Sequence, residues 1–429
     1  MLSYKDMEKE QLEQVLTELK TTYDKYKAQS LDLNMARGKP SCDQMDMTQS
    51  LLFEALEDTS LVASDGSDCR NYGGLAGLPE MREVFAEMLE IDADYIMAQG
   101  NSSLELMFNV IGYSMFNPRP GASVPWCEIK DRKFLCPVPG YDRHFAVTEH
   151  FDFELIMVPM NENGPDMDEV ERLCAADDSI KGIWCVPKYS NPDGFVFSEE
   201  TTRRLATMKA ASDFLIMWDN TYCVHHLYDQ PSKQGHLADI MAFCKEAGHP
   251  DRVFEFASTS KITFANAGVG AIAGSQTNLD WYVNNLKYQT IGPNKISQLY
   301  QVRLINKAGG IKEIMKSHAS VLRPKFELVL QLLQEELGEL NIADWYPPLG
   351  GYFISVNLLP GTAKQVVAMC REAGVVLTGA GATFPYGKDP QDSNIRIAPS
   401  YPSISELEQA IRVFCTCAKI AAVEKYLAG

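Results

Sequence analysis

The chain has 429 residues, 45% hydrophobic and 22% charged, with a formal net charge of −18. That length suggests two domains, or one large α/β domain with a subsidiary one, and the acidity argues against nucleic acid or an anionic membrane as the main partner. An anionic small molecule remains open, provided that a few local cations bind it.

Residues 5–28 carry Met7, Leu12, Val15, Leu16, Leu19 and Tyr23 at helical spacing among lysines and glutamates, which predicts an amphipathic helix. LDLNMARGKPS follows as an extended piece, because Gly38 and Pro40 forbid continued helix. Arg37 and Lys39 flank that glycine, two cations where backbone could approach a ligand, although a solvated turn would look the same. In RNYGGLAGLPE at 70–80, three glycines surround Tyr72 before a helix begins near Pro79, so the loop carries an aromatic hydroxyl that could reach another site.

YIMAQ at 95–99 predicts a short strand, followed by Gly100, Asn101, Ser102 and Ser103 and the apolar-periodic LELMFNVIGYSMF. Strand, small polar turn and helix start favour an anion through free amides and the helix dipole, while a plain N-cap by Asn101 or Ser102 accounts for the motif as well. It is neither GxGxxG nor a P-loop, which discounts a dinucleotide or ATP. Strands and helices then alternate. One strand ends at Pro139, Gly140 and Tyr141, FELIMVPM gives another, and GIWCVPKYSNPDG ends in a proline-rich turn with Asn191. A helix over 198–211 leads into FLIMWDN, apolar throughout as in a strand buried on both faces, and it terminates in Asp219. A carboxylate there is costly unless a cation or strong donor faces it.

VFEFASTSKITFANAGVGAIAGS at 253–275 reads as strand, turn, strand, with one amine, Lys261, at the turn. The last third changes character. Long helix at 312–337, a strand near 350–357, helix at 363–373, a strand at 374–378 and SNIRIAPS form an α+β unit. Arg396 sits between Ile395 and Ile397, and a guanidinium on an apolar strand needs a carboxylate, from a ligand or from a structural salt bridge. His225 and His226 lack further ligands at metal-binding spacing, so packing or a supporting hydrogen bond is expected of them and no metal. Eleven cysteines without CxxC pairing read as reduced thiols of a cytoplasmic protein. The charged N-terminus, and the lack of any run near the ~20 apolar residues of a membrane span, predict neither a standard secretion signal nor membrane embedding.

A mostly parallel sheet binds ligands beyond the carboxyl ends of its strands. At successive predicted ends stand Gly100 to Ser103, Tyr141, Asn191, Asp219 with Tyr222, and Ser258 with Lys261. An anion cradle, an aromatic face, a carboxylate, two donors toward a phenolic oxygen and an amine fit a phosphorylated pyridine aldehyde.

On RGKPS at 37–41, YGGLAG at 72–77, GNSS at 100–103, PGYDRHF at 139–145, YSNPDG at 189–194, WDNTYCVHH at 218–226, STSKITFANAG at 258–268 and IRIAPSYP at 395–402, the chain resembles the fold-type I aminotransferases that depend on pyridoxal 5′-phosphate. Within them it is similar to the MocR-like subgroup of aspartate aminotransferases. The resemblance implies a large domain with a mostly parallel, seven-stranded-type sheet and a smaller α+β C-terminal domain. Residues 1–50 would be a helix and arm belonging to the small domain, 51–305 the cofactor-binding domain and 306–429 the small domain.

The resemblance also implies roles. Lys261 would hold the cofactor as a Schiff base and then shuttle the proton, and Asp219 would keep the pyridine nitrogen protonated. Asn191 and Tyr222 would bond the phenolic oxygen, and Tyr141 would stack on the ring. Asn101, Ser102, Ser103 and Ser258 would hold the phosphate, with Tyr72 reaching it from the neighbouring subunit of a homodimer with shared sites. Arg396 would clamp the substrate α-carboxylate, with Gly38 lining the site. Two departures stand out: Val269 falls where many relatives place a phosphate-binding arginine, and Lys295, with Arg37 as second candidate, takes the place of the arginine for a side-chain carboxylate. The expected activity is transamination between L-aspartate and 2-oxoglutarate by a ping-pong mechanism. The alternatives are 2-aminoadipate, kynurenine or aromatic amino acids as substrates, a lyase or decarboxylase on the same scaffold, or a cofactor-binding regulator. Against the last, the first ~50 residues show no basic helix-turn-helix.

Overall fold

The computed structural model describes residues 3–428. Its strands, in chain order, are β1 (Leu33–Asn34), β2 (Ile96–Gln99), β3 (Lys133–Val138), β4 (Glu154–Asn161), β5 (Gly164–Pro165), β6 (Ile180–Cys185), β7 (Leu215–Asp219), β8 (Val253–Ser258), β9 (Gly270–Gly274), β10 (Ala343–Trp345), β11 (Ile354–Leu358), β12 (Val375–Val376) and β13 (Asn394–Ile397). The large sheet has the order β2-β9-β8-β7-β6-β3-β4-β5. Strands β3, β4, β6, β7 and β8 pair in parallel, and β9 runs antiparallel between β8 and β2. The sheet is one strand wider than the seven expected, because the two-residue β5 hooks back onto β4.

Every residue of β7 and β8 is buried, which explains why FLIMWD reads as a continuous apolar run rather than an alternating one. The pleat still sorts their side chains. Leu215, Met217, Phe254 and Phe256 pack with Leu106, Met107, Val110 and Ile111 of the helix Ser103–Phe116 on one face. Ile216, Trp218 and Val253 pack with Val170, Cys174 and Leu205 on the other. Asp219 continues the first set, so the sheet directs it toward the side where the helix Ser103–Phe116 starts.

The C-terminal domain is an antiparallel sheet, β10-β11-β13, with the helices Ile311–Leu337, Ala363–Glu372 and Ile404–Ala428. The N-terminal helix Lys9–Lys27 joins its core through Leu12 and Tyr23, and the Tyr23 hydroxyl donates to the Met369 carbonyl at 2.9 Å. The expected extended piece at 31–41 contains β1, which pairs in parallel with β12, the short core of the strand expected at 374–378. The helix expected over 198–211 ends earlier, at Thr207, where Met208 turns to extended backbone. Sequence periodicity missed the helix Cys42–Glu57, whose start is marked by a capping box between Ser41 and Gln44. Among the described residues no helix is long and apolar enough to cross a membrane, and all eleven cysteines are free.

Candidate active site

Because β2, β8, β7, β6 and β3 all end on one edge of the sheet, Gly100–Ser103, Ser258, Asp219, Asn191 and Tyr141 emerge there in that sheet order. The charges of Tyr141, Asp219, Tyr222 and Arg396 act on one another, which places residues from the ends of β3 and β7 and from β13 in one cluster. Lys261 follows β8 in a turn, with its Nζ 5.3 Å from the centre of the Tyr222 ring. Burial lowers the pKa of this amine, and the Asp219 charge opposes that shift.

Asp219 is 4% exposed at the end of β7, where an unsupported carboxylate would take up a proton. Burial does push its pKa upward, but hydrogen bonds from His144 and Thr221 and the charge of Lys261 outweigh it, so the net shift is downward. His144 Nε2 lies 2.9 Å from Asp219 Oδ2, and Thr221 Oγ1 donates to Oδ1. The His144 ring stacks on Trp184 at 4.4 Å and 11°, with Tyr141 edge-on at 4.9 Å. Sequence reasoning assigned no role to His144 or Thr221. The signal was present in PGYDRHF, where His144 lies one helical turn after Tyr141, on the helix Asp142–His150.

Around the start of the helix Ser103–Phe116, Ser102 is the N-cap and its hydroxyl accepts from Glu105 N at 3.4 Å. Asn101 Nδ2 donates to Asn266 O, and Ser103 Oγ lies 3.2 Å from Thr221 Oγ1. Ser258 Oγ meets Ser260 Oγ at 2.6 Å and accepts from Ser260 N at 3.1 Å. Gly268 fits here because a Cβ would stand 2.8 Å from Ser260 Cα. Val269 is buried in the core and its amide donates to Thr259 Oγ1, so it offers nothing to an anion. Glu105 fills part of the cradle, its Oε2 accepting from Asn101 N at 3.4 Å.

Arg396 is 7% exposed on β13, and its Nη1 donates to Asp142 Oδ1 at 3.0 Å and to Asn191 Oδ1 at 3.2 Å. The carboxylate that its strand could not supply therefore comes from the helix after β3. Its Nε has no partner among the described residues, and its guanidinium lies 4.8 Å from the centre of the Phe353 ring. Gly38 borders the same ring: a Cβ there would meet Phe353 Cζ at 2.4 Å.

Of three further expected site residues, two are exposed and one is buried. Tyr72 is 81% exposed. Lys295 is 6% exposed at the start of the helix Lys295–Lys307, its Nζ donating to Asp68 O at 3.4 Å and its side chain beside Gly74. Arg37 is exposed. His225 is buried with neither ring nitrogen hydrogen-bonded among the described residues, while His226 Nδ1 meets the Tyr189 hydroxyl. Among the described residues no three His, Cys, Asp or Glu side chains gather as a metal site would require.

The donor set suits a phosphorylated pyridine aldehyde. A buried, anionic Asp219 would suit a protonated ring nitrogen, a desolvated lysine an aldehyde carbon, and hydroxyls at a helix N-terminus a phosphate.

The family model described as aspartate amino-transferase matches residues 7–429. An aspartate aminotransferase of Corynebacterium glutamicum is 43% identical over 427 residues, covering 99% of this chain and 98% of that one. The crystal structure of an aspartate transaminase from Corynebacterium glutamicum superposes with a TM-score of 0.95, at 43% identity and 99% coverage of both chains. The α-aminoadipate aminotransferase of Thermus thermophilus shares the fold at a TM-score of 0.73 and 17% identity, covering 92% of this chain and 93% of that one. The chain belongs to the aspartate amino-transferase family, whose members are fold-type I aminotransferases dependent on pyridoxal 5′-phosphate.

Proposed function

We propose that this aminotransferase moves the amino group of L-aspartate to 2-oxoglutarate in a ping-pong cycle. The observation that carries the reading is Arg396, a buried guanidinium bonded to Asn191 in the cluster that contains Asp219 and Tyr222, with Lys261 beside Tyr222. It is the cation an α-carboxylate needs. Pyridoxal phosphate, when bound, supplies an electrophilic carbon and an electron-accepting ring. Asp219 holds the proton at the ring nitrogen, Asn191 and Tyr222 bond the phenolic oxygen, and Tyr141 covers the ring face. Lys261 moves the proton from the donor's α-carbon. Asn101, Ser102, Ser103 and Ser258 hold the phosphate, with the helix N-terminus supplying positive potential that Val269 cannot.

The second substrate carboxylate falls to Lys295, ahead of the exposed Arg37. The Lys295 side chain lies beside Gly74, two residues from the exposed Tyr72, and the reading is that both serve a partner's site in a cytoplasmic homodimer. The same reading divides the chain into a helix and arm at 1–50 and a small domain at 306–429, around a cofactor domain at 51–305.

The test is the visible spectrum of the cofactor-loaded protein before and after L-aspartate is added without any oxo acid. The expected result is conversion of the cofactor band to the amine form, with one equivalent of oxaloacetate released. A band indifferent to aspartate but responsive to aminoadipate or kynurenine would overturn the substrate assignment.

A further inference from the structure

Asn191 is one of two side chains that the turn after β6 sends to the C-terminal sheet. The other is Asp193, 6% exposed, whose carboxyl meets the Ser355 hydroxyl. Ser355 on β11 pairs across the sheet with Arg396 on β13, so their side chains share a face. One turn therefore touches both members of a cross-strand pair, Arg396 through Asn191 and Ser355 through Asp193.

The direction of the second contact follows from its neighbours. Ser355 Oγ accepts from Asn394 Nδ2 at 2.9 Å, Asn394 Oδ1 accepts from Thr383 Oγ1 at 2.8 Å, and the Thr383 carbonyl accepts from the amide of Gly140, the residue before Tyr141, at 2.8 Å. The Ser355 proton is left to donate to Asp193. Asp193 Oδ2 has no partner among the described residues. Charged groups on the surrounding elements are engaged elsewhere: Arg396 and Asp142 with each other, Asp389 with the amides of Ser393 and Asn394, and Asp344 with Asn357. On its own segment, Lys188 feels the charges of Cys223 and Glu90. Burial of the carboxyl is thus opposed by the Ser355 hydroxyl and no cation, and Asp193 is raised to about 7.

We propose, on the reading of Arg396 as the site of the substrate α-carboxylate, that Asp193 in its neutral form is a positioning residue for that guanidinium. A neutral carboxyl accepts the Ser355 proton and ties β11 and β13 to the turn that carries Asn191, while adding no charge. An ionised Asp193 places a second anion, after Asp142, near the clamp, and so opposes an incoming carboxylate. An asparagine or threonine would meet Ser355 at a lower desolvation cost, so the acid points to a use for its titration.

The test is calorimetric titration of succinate, a dicarboxylate with no amino group, into the cofactor-loaded enzyme after borohydride has fixed the cofactor to its lysine, so that no imine titrates. The expected Kd is level below pH about 7 and rises above it by up to about tenfold per pH unit. In Asp193→Asn, which keeps an acceptor for Ser355 without the titration, the rise is lost. Ser355→Ala removes the donor that favours the ionised form and should move the rise to higher pH. A level wild-type Kd, or a rise of the same size in Asp193→Asn, overturns the proposal. If that variant does not fold, Ser355→Ala decides, and an unmoved midpoint overturns it. Arg396→Ala separates the two roles: if it binds succinate as wild type does, Arg396 is not the carboxylate site and the role of Asp193 falls with it. If it loses about a hundredfold in affinity while Asp193→Asn keeps the wild-type pH profile, only the role of Asp193 falls.

Discussion

Nε2 of His144 lies 2.9 Å from Oδ2 of Asp219, with both side chains buried and the imidazole stacked on Trp184. The contact holds a carboxylate in place where burial alone would protonate it, and so fixes the group proposed above for the ring nitrogen. His144→Phe should lower kcat by about tenfold or more with KM for aspartate little changed, since hydrogen bonds to charged groups contribute ~1.5–3 kcal/mol. Asp219→Asn should cost more. Steady-state kinetics check both, and a His144 effect confined to KM would remove it from this supporting role.

Lys261→Ala tests the amine. The phosphate and ring contacts proposed above do not involve that side chain, so the variant should still bind the cofactor, while turnover falls by several orders of magnitude, as for loss of other covalent catalysts. Cofactor absorbance and activity measured on the same sample separate the two effects; retained turnover would sink the assignment.

Arg396 shares its Nη1 between Asp142 and Asn191. A substrate carboxylate must compete with Asp142 for that guanidinium. Arg396→Ala should raise KM for both amino and oxo acids by about a hundredfold. Asp142→Asn removes the competitor, and KM should fall or stay level with kcat maintained; a large rise would mean that Asp142 positions the guanidinium instead.

Lys295→Ala should raise KM for aspartate about tenfold or more and leave a donor without a side-chain carboxylate, such as alanine, unaffected, because only the former needs a second cation. Comparing kcat/KM for the two donors is the measurement. An unchanged KM for aspartate returns the assignment to Arg37.

Glu255 gives a pH signature. An ordinary glutamate titrates near 4.5, and burial moves this one to about 8. Between those values the unfolded chain has released the proton that the folded chain keeps. Its contribution to stability is therefore complete below pH 4.5 and is lost as the pH rises to about 8, by up to about 1.4 kcal/mol per pH unit. Denaturant melts of Glu255→Gln should show the variant gaining on wild type across that window; parallel curves would contradict the shifted pKa.

The sequence by itself determined the strands and what stands at their ends. Apolar runs closed by Gly100, Tyr141, Asn191, Asp219 and Ser258 are local features, set by hydrophobic patterning and turn chemistry, and parallel order carries them to one edge. The lysine turn after β8 was legible for the same reason. The helix Cys42–Glu57 escaped because its buried residues are mostly small or polar, Gln44, Thr48 and Ala55, and give no apolar stripe.

Tertiary structure alone decided the partners. Asp142 lies 254 residues from Arg396, and His144 lies 75 from Asp219, so neither pairing has a local signal. Glu255 sat unread inside an apolar run until the register of β7 and β8 placed it behind the site, beside Asn220. Periodicity states which residues share a face of one strand; which buried charge meets which donor depends on the packing of distant elements, where a few ångströms in low dielectric separate a paired carboxylate from a protonated one.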